Sequence, residues 1–463
     1  MSALERYDDI ILGGGKGGKS LAMALGPAGH KVAMIERGQI GGTCINVACI
    51  PTKTMVASTK VLENARRAHR YGLNLGIKSP SLTAVLARKR SVVEGMVATH
   101  WDLFKNTENL DFILGTARFV DEKTIEIELP DGKSRRLTAH RIFINTGSKT
   151  QVPPTPGLAE AGYLTSTTIM ELDTLPDHLI IIGGGYISLE FAQIFCRLGS
   201  RVTILERSGR FLRREDEDIA ATVKEILEDE GIRIVMNAEV ASVARHGKNS
   251  VVLNLQTTAG QTQIEGSHLL VAVGRVSNNE GLNLQAAGVA TDARGYIQVN
   301  ERLETSVPGI WAIGDCNGGP HFTHVSWDDF RIIRDNLLHG TNRTTTGRIV
   351  PYTLFIDPEL GRVGMTEEEA HAKGHTVRIA KLPAVKVPRA NTSGETRGLL
   401  KAVVDAKTKQ ILGCAIFAHE GGEVMSVVQV AMLAGLPYTA LRDAIFTHPT
   451  MAESLNLLFA TLG

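Results

Sequence analysis

The chain has 463 residues, of which 50 are basic and 49 acidic, so its formal net charge at pH 7 is only +1. This balance gives no reason to expect a nucleic acid or an anionic membrane surface as a partner. Hydrophobic residues make up 43% and charged residues 21%, which is typical of a globular protein. At about 150 residues per domain, the length indicates roughly three domains.

Neither membrane insertion nor secretion is indicated by the sequence. Residues Met1–Tyr7 lack the apolar run of a signal peptide. The most apolar long window, Leu179–Phe195, contains three glycines and Glu190, so we expect no membrane span. Five cysteines are too few, and odd in number, for the disulfide framework of a secreted protein. We therefore expect the protein to be cytoplasmic.

The first element pattern predicts a β-α-β unit. Asp9–Leu12 is typical of a buried strand, Lys19–Leu25 of a helix and Lys31–Glu36 of a second strand. The glycines of the turn between the first strand and the helix, together with an acidic residue at the end of the second strand, form a dinucleotide-binding pattern. In it one glycine permits a tight turn, one lets backbone N–H groups approach a pyrophosphate, one lets helix and strand pack closely, and the carboxylate can bind ribose hydroxyls. In chain order these residues are Gly13, Gly15, Gly18 and Glu36.

Two cysteines five residues apart follow this unit, Cys44 and Cys49 in the run GGTCINVACIPTK. Such a pair can form and reopen a disulfide, and a nearby helix N-terminus together with Lys53 would favour the reactive thiolate. A buried thiol pair or half of a zinc site are the alternatives. The chain has no second cysteine pair to complete a zinc site, and we expect no metal site.

Short β-like runs with turns between them follow over Thr116–Ala139, and Ile142–Gly147 is predicted to be a returning strand. The proline-rich segment Gln151–Gly157 indicates a linker. From Val350 onward, β-like and helical runs alternate, which predicts an α+β domain.

The β-α-β pattern returns about 170 residues after its first occurrence. Leu179–Ile182 and Arg201–Glu206 are predicted strands, and Tyr186–Leu198 is a predicted helix. The glycine turn is Gly183-x-Gly185-x-x-Ser188, in which a serine replaces the third glycine. Glu206 at the end of the second strand favours a free ribose 2′-hydroxyl and therefore NADH. Three arginines just beyond this strand could instead hold the 2′-phosphate of NADPH, so NADPH stays possible. They are Arg207, Arg210 and Arg213.

The segment Gly41–Lys53 resembles the active-site signature of the class I pyridine nucleotide-disulfide oxidoreductases, and further family segments follow in order along the chain. These are Thr146-Gly147, Gly274-Arg275 in VAVGR, Gly314-Asp315 in WAIGDC and His448–Glu453 (HPTMAE). The resemblance implies an α/β fold with two Rossmann-like dinucleotide-binding domains and a C-terminal α+β dimerisation domain. The implied boundaries are 1–150 and 275–345 for the two parts of an FAD-binding domain, 151–274 for an NAD(P)H-binding domain and 346–463 for the dimerisation domain.

The resemblance also implies roles for single residues. Cys44 would be the interchange thiol that meets the substrate, and Cys49 the charge-transfer thiol at the flavin. Lys53 and Glu190 would pair near the flavin N5, and Tyr186 would cover the nicotinamide pocket. His448, steered by Glu453, would be the acid/base that acts on Cys44 of the other subunit of a homodimer. The remaining residues implied to bind FAD or NAD(P)H are Thr43, Thr146, Gly147, Gly274 and Asp315.

Four sequence segments resemble a narrower group within this family, the bacterial reactive-chlorine-resistance flavoproteins, which act as hypothiocyanous acid reductases. The segments are Gly13–Ala22, Phe211–Ala220, His321–Ile332 and Gly435–Met451. This resemblance implies a small thiol-reactive oxidant as substrate, which suits a chain without a further cysteine pair to relay electrons. Lipoamide dehydrogenase is an alternative, although Phe446 stands where that enzyme usually has a histidine. Reduction of mercury or copper ions and a non-catalytic redox sensor are further alternatives.

Overall fold

The computed structural model describes residues 4–76, 79–247 and 250–463. The described residues divide into two compact units, each built from three stretches of the chain. Unit 1 contains the residues up to Thr52, Ala87–Gln151 and Gly274–Arg348. Unit 2 contains the described residues of Lys53–Leu86, Val152–Val273 and Ile349–Gly463.

Unit 1 is built around a mixed sheet of seven described strands whose central pairs are parallel. Alternate residues of the central strand Leu4–Leu12 face opposite sides, as the two-residue period of a strand requires. Ile10 and Leu12 belong to one hydrophobic cluster and Ile11 to another, so both faces of this sheet are buried. The strands in spatial order are Leu110–Leu114, Val32–Glu36, Leu4–Leu12, Ser134–Ile144, Thr124–Glu128 and Thr116–Phe119, with Ile310–Ala312 pairing in parallel with Ser134–Ile144.

Further short elements complete unit 1. Ser148–Thr150 and Arg275–Ser277 form an antiparallel pair. The helices are Lys16–Leu25, Gly42–Asn46 and Thr323–His339, with 3-10 turns at Leu284–Ala287 and Gly314–Asn317. Two longer helices, Cys49–Arg66 and Leu82–Lys105, have parts in this unit.

Three sheets form the framework of unit 2. A parallel sheet has the order Arg233–Val235, Arg201–Leu205, His178–Ile182 and His268–Val271. An antiparallel sheet is formed by Glu239–His246, Ser250–Thr257 and Gly260–Gly266. The third sheet is antiparallel, with the order Tyr352–Leu354, Glu359–Gly364, Ile411–Ala418, Leu399–Asp405 and Val377–Pro383.

The helices of unit 2 pack on these sheets, and the C-terminal ones enclose a separate core with residues such as Val428 and Leu455. The helices are Leu158–Ala161, Tyr186–Leu198, Glu217–Asp229, Glu367–Ala372, Pro388–Thr392, Gly421–Leu433, Tyr438–Asp443 and Ser454–Ala460, with 3-10 turns at Ala68–Tyr71, Thr168–Glu171 and Ala384–Lys386.

The predicted α/β fold class is confirmed. Three predicted elements differ from the observed ones by three residues or more at one or both ends, and three other strands differ by one residue. The first strand begins at Leu4 rather than Asp9, because Leu4–Tyr7 pair with a neighbouring strand that the local pattern does not reveal. The first helix begins at Lys16 rather than Lys19, directly after its N-cap Gly15. The returning strand ends at Ile144, before Gly147 adopts a φ of +70°.

Candidate active site

The first glycine turn ends at a helix that lacks a side-chain cap. Gly15 is the N-cap of Lys16–Leu25, no side chain bonds to the cap, and the first turn of the helix has no acidic residue. Gly13 has a φ of +107°, and a Cβ there would clash with the carbonyl oxygen of Asn145. A Cβ at Gly18 would clash with the oxygen of Gly13. The turn therefore requires glycine and leaves the partial positive charge of the helix N-terminus open to an anion.

Two carboxylates hold the same position in the two β-α-β patterns. Glu36 accepts hydrogen bonds from the backbone N–H groups of Gly14 and Gly38, each at 2.8 Å. Glu206 accepts from Gly184 at 2.8 Å and from Ser208 at 2.7 Å. Each carboxylate oxygen accepts one hydrogen bond from a backbone N–H group. It can accept a second hydrogen bond, so it can still bind a ribose hydroxyl.

The second glycine turn repeats the geometry of the first. Gly183 has a φ of +102°, and a Cβ there would lie 2.6 Å from the oxygen of Ala272. A Cβ at Gly185, the N-cap of Tyr186–Leu198, would meet no described atom within 4 Å. Ser188, at the place of the third glycine, is fully buried. Arg207 is exposed beyond the strand.

Cys44 and Cys49 lie close enough for a hydrogen bond between their side chains. Cys44 is in the short helix Gly42–Asn46, and Cys49 is the first residue of Cys49–Arg66. The structure has both as free thiols, and the Cys49 Sγ lies 3.4 Å from the Thr323 hydroxyl. The hydrogen bond to Cys49, followed by burial, raises the pKa of Cys44, whereas Thr323 and Lys19 act in the opposite direction. The Cys44 proton therefore needs a base before Cys44 can act as a nucleophile.

The other unit 1 residues predicted to bind a cofactor lie on the loops after the strands. The Thr146 hydroxyl donates to Asn279 at 2.8 Å, and Asp315 accepts a 2.5 Å hydrogen bond from Ser148. Arg275 donates to the same Ser148 side chain at 2.7 Å, and burial lowers its pKa. Gly274 has a φ of +141°, and Thr43 is exposed at the start of the Cys44 helix.

Lys53 and Glu190 form an ion pair within unit 2, as predicted. The Lys53 Nζ is 2.9 Å and 2.7 Å from the two Glu190 oxygens and lies 4.8 Å from the centroid of the Phe355 ring. Glu190 is 6% exposed and also accepts from the Phe355 N–H at 3.0 Å. The contacts fix the position of both charged groups.

Tyr186 is fixed by a second buried carboxylate. Its hydroxyl donates to Glu215 at 2.5 Å, and the Tyr352 hydroxyl donates to the same oxygen at 2.7 Å. Glu215 is fully buried, and burial raises its pKa. Neither Glu215 nor Tyr352 was predicted as a functional residue.

His448 bonds to Glu453, as predicted, and is otherwise open to solvent. Its Nδ1 lies 2.8 Å and 3.0 Å from the two Glu453 oxygens, and 67% of its side chain is exposed. Large apolar side chains are also exposed in this C-terminal part. They are Val430, Leu433, Leu436 and Ile445. An exposed apolar surface of this kind is typical of a protein interface.

Four residues were not predicted from the sequence: Thr323, which lies beside Cys49; Arg275, which shares Ser148 with Asp315; and the hydrogen-bonded pair Lys19 and His100. For Arg275 the signal was present, since it follows Gly274 directly. Thr323 and His100 reach the site through long-range folding, which no local pattern reveals. Across residues 4–76, 79–247 and 250–463, no three His, Cys, Asp or Glu side chains cluster as a metal site would require. Over the same ranges, no helix is long and apolar enough to cross a membrane.

Comparison with known proteins agrees with this geometry. Residues 7–329 match the model of the pyridine nucleotide-disulphide oxidoreductase family, and residues 350–458 match the dimerisation domain of that family. The chain is 42% identical over 461 residues to the probable pyridine nucleotide-disulfide oxidoreductase RclA of Escherichia coli K12, with 99% of each chain covered. It is 36% identical to a mercuric reductase of Streptomyces lividans, covering 98% of this chain and 96% of that one.

Solved structures include similar chains. One is the Cu(II) complex of the HOCl-induced flavoprotein disulfide reductase RclA from Escherichia coli. It matches with a TM-score of 0.91 and 41% identity, covering 99% of this chain and 100% of that one. The chain belongs to the pyridine nucleotide-disulphide oxidoreductase family and is a flavoprotein disulfide reductase, a family membership that implies FAD and NAD(P)H as cofactors.

Proposed function

We propose that the protein uses NAD(P)H and FAD to reduce a small thiol-reactive oxidant at Cys44 and Cys49, and that this oxidant is hypothiocyanous acid. The observation that carries the proposal is the contact between these two thiols beside Thr323. The similarity to an HOCl-induced reductase supports an oxidant as substrate. The other three cysteines are partly or fully buried, so none offers an exposed pair to relay electrons to a large substrate.

The glycine turns and carboxylates fit the two cofactors. The uncapped helix N-terminus at Gly15 suits the pyrophosphate of FAD, and Glu36 suits its ribose. Thr43, Thr146, Gly147 and Asp315 are further proposed FAD residues.

In unit 2, Gly183, Gly185 and Glu206 suit the nicotinamide nucleotide, with Tyr186 and Arg207 as further proposed contacts. Gly274, which belongs to unit 1, is also a proposed cofactor residue. When bound, these cofactors supply the electron pair that reopens the Cys44–Cys49 disulfide. Lys53 and Glu190 are the charged pair we assign to the flavin.

The chemistry at the thiols balances without a further reactant. The Cys44 thiolate attacks the sulfur of hypothiocyanous acid, and hydroxide leaves as a Cys44–SCN bond forms. The Cys49 thiolate then attacks the Cys44 sulfur, thiocyanate leaves and the disulfide forms. The oxidant gains two electrons, the two thiols lose two, and the hydroxide takes a proton to become water.

His448 is the base we assign to the Cys44 proton, with Glu453 fixing its ring. Because His448 is 67% exposed, its ring is free to meet a second chain. The dimerisation domain and the exposed apolar residues around it support a homodimer in which His448 completes the site of the partner. We also propose the domain boundaries 1–150, 151–274, 275–345 and 346–463, and a cytoplasmic location, where thiols are kept reduced.

The nucleotide preference is tested at Glu206. We expect NADH to be used in preference to NADPH, because the Glu206 carboxylate binds a 2′-hydroxyl and repels a 2′-phosphate. Replacing Glu206 by alanine should lower kcat/KM for NADH by about 10- to 100-fold, since a hydrogen bond to a charged group is lost. Steady-state kinetics with both nucleotides measure this. The control is Lys224→Met, which breaks an exposed ion pair with Glu228 and should leave the NADH value unchanged. A wild-type kcat/KM for NADPH that equals or exceeds the value for NADH would contradict the proposed preference.

The substrate is tested by nucleotide oxidation with purified holoenzyme. We expect rapid oxidation with hypothiocyanous acid, at a kcat/KM of at least about 10⁴ M⁻¹s⁻¹, and release of one thiocyanate per nucleotide. Lipoamide, glutathione disulfide, copper(II) and mercury(II) are assayed in parallel. A rate with hypothiocyanous acid no higher than the background would refute the assignment, and faster turnover of lipoamide or mercury(II) would replace it with the corresponding activity.

A further inference from the structure

A buried lysine without a carboxylate partner lies in the helix after the first glycine turn. Lys19 is 5% exposed. Within the described ranges, no Asp or Glu oxygen lies at ion-pair distance from its ammonium; the hydrogen-bond partner is the imidazole of His100. Buried lysines are rare, and they are normally paired with an opposite charge. The Lys19 charge therefore stays uncompensated by its protein neighbours.

The Lys19 helix starts against the segment that carries Cys44. A Cβ at Gly42, the first residue of the Cys44 helix, would lie 2.6 Å from the Cα of Gly15. Gly15 is the N-cap of the Lys19 helix. The charges of Lys19 and Cys44 act on each other: Cys44 raises the pKa of Lys19, and Lys19 lowers that of Cys44. The Lys19 helix and the Cys44 helix therefore begin side by side, and the two charges are near enough to affect each other.

His100 fixes the position of the Lys19 ammonium by a hydrogen bond. Burial lowers the pKa of His100, so its ring is neutral at pH 7. The Nδ1 lies 2.6 Å from the oxygen of Met96, which can only accept a hydrogen bond, so the proton is assigned to Nδ1. The Nε2 lone pair is then left to accept from the Lys19 ammonium. Burial, followed by the charge of Lys16, lowers the pKa of Lys19 to about 8, which keeps most of it protonated at pH 7.

We infer that Lys19 is a specificity-determining residue which presents a fixed positive charge at Cys44 and thereby favours anionic reagents, and that His100 is its positioning residue. This inference rests on the proposed function, in which Cys44 is the interchange thiol. An ammonium at this place attracts a small anionic oxidant and stabilises the negative charge that appears on the departing group. Hypothiocyanous acid is neutral, so it gains only through the negative charge of the hydroxide and thiocyanate that leave.

The test compares the alkylation of Cys44 by iodoacetate, which is anionic, with alkylation by iodoacetamide, which is neutral. Reduced holoenzyme is used, and fragment-ion mass spectrometry locates the label at Cys44 or Cys49. In Lys19→Met, we expect the ratio of the iodoacetate rate to the iodoacetamide rate at Cys44 to fall by about tenfold. Lys19→Arg, which keeps the charge, should retain at least half of the ratio. His100→Phe should lower the ratio in the same direction as Lys19→Met.

The control is Lys31→Met, because Lys31 lies over the Tyr7 ring and not in the proposed site. In this variant, the ratio of the iodoacetate rate to the iodoacetamide rate at Cys44 should equal that of the wild type. Flavin content and far-UV circular dichroism confirm that each variant is folded; should Lys19→Met not fold, Lys19→Gln is used, with the same expectation. An unchanged ratio in a folded, uncharged variant overturns the inference while Cys44 still reacts. A wild-type Cys44 that reacts with neither reagent instead contradicts the proposed function itself.

Discussion

Replacing Cys44 by serine should lower turnover with hypothiocyanous acid by about 10³-fold or more, since a serine hydroxyl is not ionised at neutral pH and cannot form the thiocyanate adduct. The substitution should slow only the reaction of the thiols with the oxidant. Reduction of the bound flavin by NADH, followed by stopped-flow absorbance, should proceed at a rate within about threefold of wild type, because neither glycine turn is altered.

The control for Cys44 is Cys196→Ser, which exchanges a partly buried thiol whose Sγ donates to the Glu230 carbonyl at 3.2 Å. A serine hydroxyl can make the same hydrogen bond, so turnover should stay near the wild-type value. If Cys44→Ser keeps a tenth or more of the wild-type turnover, the oxidant is not reduced through Cys44. An equal loss in both variants would indicate that general damage, rather than the redox pair, causes the loss.

The second large effect is expected at Arg362, which is 1% exposed and binds Asp216 at 2.6 Å. Glu215 lies 3.8 Å from the same guanidinium and is fully buried. Burial by itself would raise the pKa of Asp216, but the charge and hydrogen bond of Arg362 outweigh it. Replacing Arg362 by methionine leaves two buried carboxylates with less compensation and should lower the free energy of unfolding by about 3–5 kcal/mol.

Urea unfolding of the holoenzyme, followed by far-UV circular dichroism, measures this loss. The control is Lys224→Met, which breaks an exposed ion pair with Glu228 in the helix Glu217–Asp229 and should cost about 0.5 kcal/mol or less. Adding Asp216→Asn to the Arg362 variant removes one uncompensated charge and should restore part of the stability. Equal losses in the Arg362 and Lys224 variants would show that the buried cluster does not stabilise unit 2.

Local patterns predicted the nucleotide-binding elements well, because those elements depend on residues near one another in the chain. The helix Tyr186–Leu198 was predicted with both ends correct, since Gly185 and Gly199 flank it. The same applies to Glu36 and Glu206, whose bonds are to backbone groups of the adjacent turns.

Contacts between distant segments were not predictable from local patterns. The bond from Thr323 to Cys49 joins residues 274 positions apart, and that from Lys19 to His100 spans 81. In the sequence, Glu215 is one acidic residue in a charged run. In the structure it is fully buried and accepts hydrogen bonds from Tyr186 and Tyr352. Its partners come from separate strands and helices, so only the folded chain brings them together. The Lys53–Glu190 and His448–Glu453 contacts were foreseen because a family resemblance supplied the long-range information.

The burial of the three other cysteines has a consequence for how long the protein would survive the proposed thiol-reactive substrate. Burial raises the pKa of Cys196 to about 11 and those of Cys316 and Cys414 to about 12. At pH 7 these thiols are therefore almost entirely protonated, and thiol oxidants react with the ionised form. If the proposed function holds, a protein exposed continuously to such reagents has few internal thiols open to irreversible oxidation. Its catalytic lifetime then depends on Cys44 and Cys49, the pair proposed to be reduced again in every cycle.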